Sequence, residues 1–265
     1  MTQIYFLTFG GPSQDYHMAS ARICQQASKM DIFDKIICFN ETDLMNDDDF
    51  WQKHSSFILS NPRGYGYWLW KPYIIKKTLD TMNENDILLY CDCGNELNNH
   101  PIAKQKLQEY IELVKDKNIL GTKGGSSDYN YTKMDLIKYF KMENKIQLLS
   151  QPHMQATVLM IKNNHSMREF MKEYYEIGSQ NYHFIDDSPS IYINFSCFVE
   201  HRHDQSIFSL LAKKYNYLNY DLDPTYWGVF TDGLRIKHNY LENAIEYPIW
   251  TCRNKTGISV IDIVE

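Results

Sequence analysis

The sequence predicts an α/β fold with a mostly parallel central sheet flanked by helices. Three observations carry this expectation. Strand-like and helix-like stretches alternate through the first two thirds of the chain. The strand-like stretches, such as Ile87-Leu88-Leu89-Tyr90, are continuous apolar runs of the kind buried in parallel sheets. Three of them end in loop signals: Gly10-Gly11-Pro12, Cys91-Asp92-Cys93-Gly94 and Gly121 to Gly125.

The elements follow in order. Ile4 to Phe9 reads as a buried strand, 15–29 as a helix and Lys35 to Phe39 as a second strand. Residues 41–62 are acidic and read as irregular, with Asp47-Asp48-Asp49 a solvated turn. Trp70, Ile74, Ile75, Thr78, Leu79 and Met82 recur at helical spacing, so a helix is expected over 70–82. Pro72 suits its first turn, where a missing N–H costs nothing. A strand follows at 86–91. Ile102, Leu107, Tyr110, Ile111 and Val114 then share one face of a helix over 101–116. A short strand at Asn118 to Thr122, a helix at 132–142, a strand at Ala156 to Ile161 and a helix from about 165 to 178 come next. Residues 205–215 are helical, with Ile207, Leu210, Leu211 and Tyr215 inward, and the remainder reads as aromatic-rich coil with short strands.

Composition narrows the function. The chain has 265 residues and a net charge of −6, which argues against a general basic surface for nucleic acid but leaves room for a local cationic pocket. No apolar run is long enough to span a bilayer, and the N-terminus lacks a basic signal-peptide region. A cytoplasmic protein is expected, with peripheral membrane association left open. The six cysteines then read as reduced thiols, and Cys91 with Cys93 lacks the second pair that a zinc site needs. The high aromatic content suits carbohydrate or nucleobase faces, and equally a large core.

The densest chemistry lies between Arg63 and Glu96. Gly64 and Gly66 permit a tight turn or a close backbone approach. Arg63 and Lys71 bracket the loop, two cations beside a helix N-terminus that could cradle a phosphate. Asp92 ends a strand, where open α/β sheets place ligands, and one carboxylate there can bind a divalent cation that bridges two phosphates. Gly94 would let such a unit approach the backbone, and Glu96 is a candidate second carboxylate. The same residues also suit an aromatic core segment ending in an ordinary turn, with Asp92 as a cap.

Three further clusters stand out. Glu200-His201-Arg202-His203-Asp204-Gln205-Ser206 is dense in charge at a helix start, where Asp204 would make a good N-cap. It could equally set a carboxylate or amide near a reacting sugar carbon and cations near a leaving phosphate. Gln155, just before a strand, offers an amide to sugar hydroxyls or to loop backbone. His238 is a late histidine that could complete a metal site, and Lys237 beside it could offset phosphate charge.

The blocks RGYGYWLWKP at 63–72, LLYCDCG at 88–94, KMDL at 133–136 and EHRHDQSI at 200–207 occur in order. Together they resemble a group of bacterial and viral sugar-transferase-like proteins. More loosely, the chain is similar to retaining GT-A glycosyltransferases of the galactosyltransferase and glycogenin family. The resemblance implies a single Rossmann-like GT-A domain over 1–265, with a nucleotide-binding part at about 1–125 and an acceptor and catalytic part at about 126–265. It implies a nucleotide-diphosphate sugar donor, UDP by default, and a glycan or lipid-linked acceptor. By the same resemblance Asp92 and His238 bind Mn²⁺ or Mg²⁺, and Asp204 and Gln205 face the donor sugar. Gln155, Ala156 and His203 lie on the sugar side. Thr8, Phe9 and Gly10 meet the nucleotide, with Arg63, Lys71 and Lys237 near its phosphates. Two positions depart from the pattern: Gly94 stands where the family carries a second Asp, and Gln155 where it carries Asn. A catalytically inactive sugar-nucleotide or glycan-binding module on the same fold is the main alternative. A nucleotidyltransferase or phosphosugar hydrolase is a further one.

Overall fold

A computed structural model describes residues 2–217, 223–226 and 244–261, together with the backbone of 229–232 and 235–238. The chain opens with β1 (Ile4–Phe9), α1 (Gln14–Met30), β2 (Lys35–Phe39), α2 (Glu41–Met45), α3 (Asp48–Ser60) and the short turn α4 (Gly64–Tyr67). It continues with α5 (Trp70–Thr81), β3 (Ile87–Cys91), β4 (Glu96–Leu97), α6 (Pro101–Lys117) and β5 (Ile119–Ser127). Then come α7 (Asp128–Tyr131), α8 (Met134–Tyr139), α9 (Ile146–Leu149), β6 (Pro152–Lys162), α10 (His165–Gln180) and α11 (Asp204–Lys214). Short strands β7 (Thr225–Tyr226), β8 (Val229–Asp232), β9 (Arg235–His238) and β10 (Ile249–Trp250) follow.

The central sheet has five strands in the order β2-β1-β3-β6-β5. β2, β1 and β3 are parallel, while β6 runs antiparallel to both β3 and β5. Four strands therefore share one direction. The mixed α/β architecture is the expected one, with β6 as the departure.

Strand alternation divides the core into two layers. Tyr5, Leu7 and Phe9 face one side with Leu88, Tyr90, Leu159 and Ile161, where α5, α10 and α11 cover them. Phe6, Ile87, Leu89, Val158 and Met160 face the other, against α1 and α6. β3 is buried along its whole length, which is why it reads as an unbroken apolar run.

Residues 41–62 differ from the expected irregular segment. Asn40 caps α2 reciprocally with Asp43, and Asp47 caps α3 by accepting from Phe50 N. Asp47 also accepts the Tyr73 hydroxyl at 2.6 Å and pairs with Lys77, so it is no solvated turn. Phe50, His54 and Ile58 form the buried stripe of α3. His54 sits between the hydroxyls of Tyr182 and Tyr175, each at 2.7 Å, and burial pushes its pKa down to about 4. The expected helix over 132–142 is also broken: Thr132 and Lys133 are not helical, and they separate α7 from α8.

Candidate functional site

The site begins with the turn before α5. Gly64, Tyr65, Gly66, Tyr67 and Trp68 all have positive φ, so the chain coils left-handed over five residues. Glycine is required twice there: a Cβ on Gly64 would lie 2.4 Å from the Trp68 ring, and one on Gly66 would lie 2.7 Å from Ile58. Trp70 donates to the Gly64 carbonyl at 3.0 Å and stacks on Phe9 with ring centroids 3.9 Å apart. This packing aims the first turn of α5, and with it Lys71, into the protein.

Lys71 is buried between two acids from distant parts of the chain. Its Nζ lies 3.1 Å from Asp92 Oδ1 and 3.3 Å from Asp204 Oδ2, and it donates to the Ala156 carbonyl at 3.2 Å. Tyr90 donates to Asp92 at 2.6 Å, and Tyr174 donates to Asp204 at 2.9 Å. Asp92 keeps a third of its side chain exposed, whereas Asp204 is enclosed. The three charges sum to −1, two carboxylates against one ammonium. Burial pushes Asp204 up to about 6; the Asp92 charge adds to this, while Lys71 and the Tyr174 hydroxyl oppose it. Burial works against the Lys71 charge, but Asp204 and Asp92 outweigh it and hold the amine above the usual lysine range.

Other expected site residues gather nearby. Gln205 is half-buried, with its Oε1 3.5 Å from Ala156 N. Gln155 accepts from the Thr122 hydroxyl at 3.2 Å. Thr8 donates to the Cys91 carbonyl at 2.8 Å, which ties the ends of β1 and β3 together. Phe9 is buried under Trp70, and Gly10 N donates to the Phe39 carbonyl at 2.9 Å. Arg63 is half-exposed and pairs with Asp187 at 3.0 Å and Glu200 at 3.9 Å. His203 lies beneath this pair, with its Nδ1 donating to the Ile185 carbonyl at 2.8 Å and its ring stacked on Tyr67. Its Nε2 has no hydrogen-bond partner and lies 3.7 Å from Asp187. Lys237 and His238 are in β9, and their side chains lie outside the described residues.

Several expectations need correction. Lys71 is no open phosphate-cradle cation, because two carboxylates already hold it. Asp204 is not the N-cap of α11. His203 takes that position, and Asp204 is the first helical residue with its side chain turned to Lys71 and Tyr174. Glu96 is fully buried and accepts from Asn254 Nδ2 at 2.6 Å, Ser259 Oγ at 2.8 Å and Val260 N at 2.9 Å, so it anchors the 254–261 segment. Gly94 makes room for that same segment: a Cβ there would lie 3.3 Å from Arg253 Cα, and its carbonyl accepts from Asn254 N at 2.8 Å. Arg22 completes the anchor by donating to the carbonyls of Cys93, Asn95 and Asn254.

The KMDL block positions the segment that leads to Asp204. Lys133 donates to the His183 carbonyl at 2.7 Å, the Ser188 carbonyl at 2.9 Å and Asp186 at 3.1 Å. Asp135 bonds His183 at 3.0 Å and accepts from Ile191 N. His201 accepts from Lys133 N at 3.3 Å and donates to the Phe184 carbonyl at 2.9 Å, so it is a neutral latch. Tyr90, Tyr174 and Asp187 join the site although none is among the residues expected there. Tyr90 and Asp92 are two residues apart on one strand face, which is a readable signal. Tyr174 offers none, since only the fold brings α10 against Asp204.

No protein-family model matches the chain, and no curated protein sequence matches it. Among solved structures, the chain is similar to mouse xyloside xylosyltransferase 1 in its apo form, at 12% identity over 97% of this chain and 100% of that one, with a TM-score of 0.49. A glycosyltransferase involved in glycosylation of the major capsid of PBCV-1 matches at 14% identity over 68% of each chain, TM-score 0.38. The galactosyltransferase LgtC, in complex with donor and acceptor sugar analogs, matches at 15% identity over 79% of this chain and 70% of that one, TM-score 0.36. All three likenesses are distant.

Proposed function

We propose that this protein is a GT-A-type glycosyltransferase that moves a sugar from a nucleotide-diphosphate sugar, with UDP the default carrier, to a glycan or lipid-linked acceptor. One observation carries this reading: three separate sequence blocks supply Lys71, Asp92 and Asp204 to a single buried cluster at the end of β3. Ligands of open α/β sheets sit at strand ends, and Asp92 keeps a third of its side chain exposed there.

A divalent cation, Mn²⁺ or Mg²⁺, belongs to this reading. Asp92 offers it one partly exposed carboxylate. Among the described residues no group of three His, Cys, Asp or Glu side chains could hold an ion. That donor set suits a cation completing its shell with donor phosphates and water, with His238 proposed as a further ligand. When bound, such a cation offsets charge developing on the departing diphosphate.

The chain's own residues do the rest. Lys71 lets two acids share one small site by offsetting their repulsion. Asp204, ionised above about 6, supplies negative charge near the reacting sugar carbon at neutral pH. Gln205, Gln155, Ala156 and His203 are proposed to line the sugar. Thr8, Phe9 and Gly10 are proposed to lie at the nucleotide end of the site. Arg63 and Lys237 are proposed to approach the phosphates. The acceptor oxygen bonds to the anomeric carbon as the bond from that carbon to the diphosphate breaks. The acceptor proton passes to the departing phosphate oxygen. Enclosure of Asp204 by Lys71 and Tyr174 supports retention of configuration, because a carboxylate so held is badly placed to deprotonate an acceptor.

The test is nucleoside diphosphate release from a panel of nucleotide sugars, with glycan and lipid-linked acceptors. Acceptor-dependent release that disappears in Asp204→Asn is the expected result. Release of pyrophosphate or inorganic phosphate would contradict it and point to a nucleotidyltransferase or phosphosugar hydrolase. Donor binding without turnover would favour the inactive binding module.

A further inference from the structure

Among the described residues no helix is long and apolar enough to cross a membrane. Yet one segment carries three strongly exposed aliphatic side chains. Ile191 is 78% exposed, Ile193 is 93% exposed and Val199 is 68% exposed, all on the segment between Phe184 and α11. This segment is not loosely held. Asp135 accepts from Ile191 N, Asn194 Oδ1 accepts from Met134 N at 2.8 Å, and Asn130 donates to the Cys197 carbonyl at 2.9 Å. Its base is pinned and its apolar tip points outward.

The surface continues from this tip onto lysines. Lys138 lies 4.7 Å over the ring of Tyr192. Tyr139, next along α8, borders an open cavity of about 500 Å³ that also takes in Lys141, Lys145 and Lys214. The one acid of that cavity, Glu173, is bound by Lys214 at 2.6 Å. On the far side, Ile146 is 66% exposed, and its carbonyl accepts the hydroxyl of Tyr129, which packs edge-on against Phe195 of the same segment. Contacts thus tie the segment to Lys138 of α8 and, through Tyr129, to Ile146, with Lys141 and Lys145 between those two anchors in sequence.

We infer that this face docks on an anionic lipid surface, with Ile191 and Ile193 inserted, the tyrosines at headgroup level and the lysines on lipid phosphates. Large exposed apolar patches mark interaction sites. Aliphatic side chains with flanking tyrosines and lysines match the layered chemistry of a bilayer interface. The lysines also distinguish the occupant: the segment's own acids, Asp186, Asp187 and Glu200, are paired with Lys133, Arg63 and Arg202, and Lys138, Lys141 and Lys145 add positive charge around Tyr139 and Ile146. Asp187 and Glu200, near the two ends of the same segment, hold Arg63 beside the proposed donor site. Resting on the proposed function, docking would bring that site to where a lipid-linked acceptor resides. The docking itself needs no such activity.

The test is vesicle flotation of the full chain with phosphatidylcholine alone and with added phosphatidylglycerol, at low and high salt. Binding to the phosphatidylglycerol vesicles is expected, weakened by salt. Ile191→Ser with Ile193→Ser should reduce it at least about tenfold while thermal unfolding and any donor-induced stabilisation stay unchanged. Lys138→Glu with Lys141→Glu should remove the gain from phosphatidylglycerol. Failure to bind either vesicle, or binding indifferent to the isoleucine pair, would overturn the inference. So would a concentration-dependent dimer in sedimentation that the isoleucine substitutions abolish, which would assign the face to a second copy.

Discussion

The ammonium of Lys71 stands 3.3 Å from the carboxylate of Asp204, and both side chains are buried. Neither charge could be held there alone, because an unpaired buried ion costs several kcal/mol. The two residues come from the first turns of α5 and α11, so the ion pair fixes where two helices begin relative to the end of β3.

Lys71→Met should therefore destabilise the fold by about 3–5 kcal/mol, since it strands two carboxylates. Lys71→Arg should not restore it, because a planar guanidinium does not fit a site built around a point charge. Urea unfolding measures both. A loss below about 1 kcal/mol for the methionine variant would mean the cluster is hydrated.

The raised pKa of Asp204 sets a sign for pH dependence. Between the ordinary carboxylate value of about 3.9 and its folded value of about 6, the folded state holds a proton that the unfolded state has released. Stability should fall as pH rises through that window and level off above it. Asp204→Asn lacks this group, so the wild-type minus variant difference in urea midpoint should decline from pH 4 to pH 6. Parallel profiles would contradict the assignment.

Tyr174→Phe removes the hydroxyl that favours ionised Asp204. The pH at which activity rises should move upward, with a stability loss of about 1.5–3 kcal/mol. A lower kcat with an unmoved pH profile would show that Tyr174 only packs.

Glu96→Gln should cost stability and expose the 249–261 segment to proteolysis, because Glu96 gathers its donors from that segment. Donor affinity should change little. A large loss of affinity with stability intact would return Glu96 to the role of second metal carboxylate.

Much of the fold was legible because continuous apolar runs and helical stripes are local signals. β1, β2, β3, α1, α5, α6, α10 and α11 lie close to where periodicity places them. α3 was hidden because its buried stripe includes the polar His54, and its three leading acids mimic a solvated turn. The reversed direction of β6 was illegible because a strand's pattern carries no direction. In the site, Asp92 was marked by its place at a strand end. The burial of Lys71 is illegible because a lysine beside a glycine loop looks solvent-facing, and its partners lie far along the chain. The roles of Gly94 and Glu96 are illegible for the same reason, since the segment they serve is at the other end of the sequence.

The cluster of Asp92, Lys71 and Asp204 is proposed to receive a nucleotide-diphosphate sugar. Thermal unfolding against a panel of such donors, each with Mn²⁺, Mg²⁺ or chelator, tests it most directly. A donor at 100 times its Kd should add about 2.7 kcal/mol. A shift with one donor class that Asp92→Asn abolishes is the expected result. No shift with any donor, or a shift that Asp92→Asn leaves intact, would contradict it.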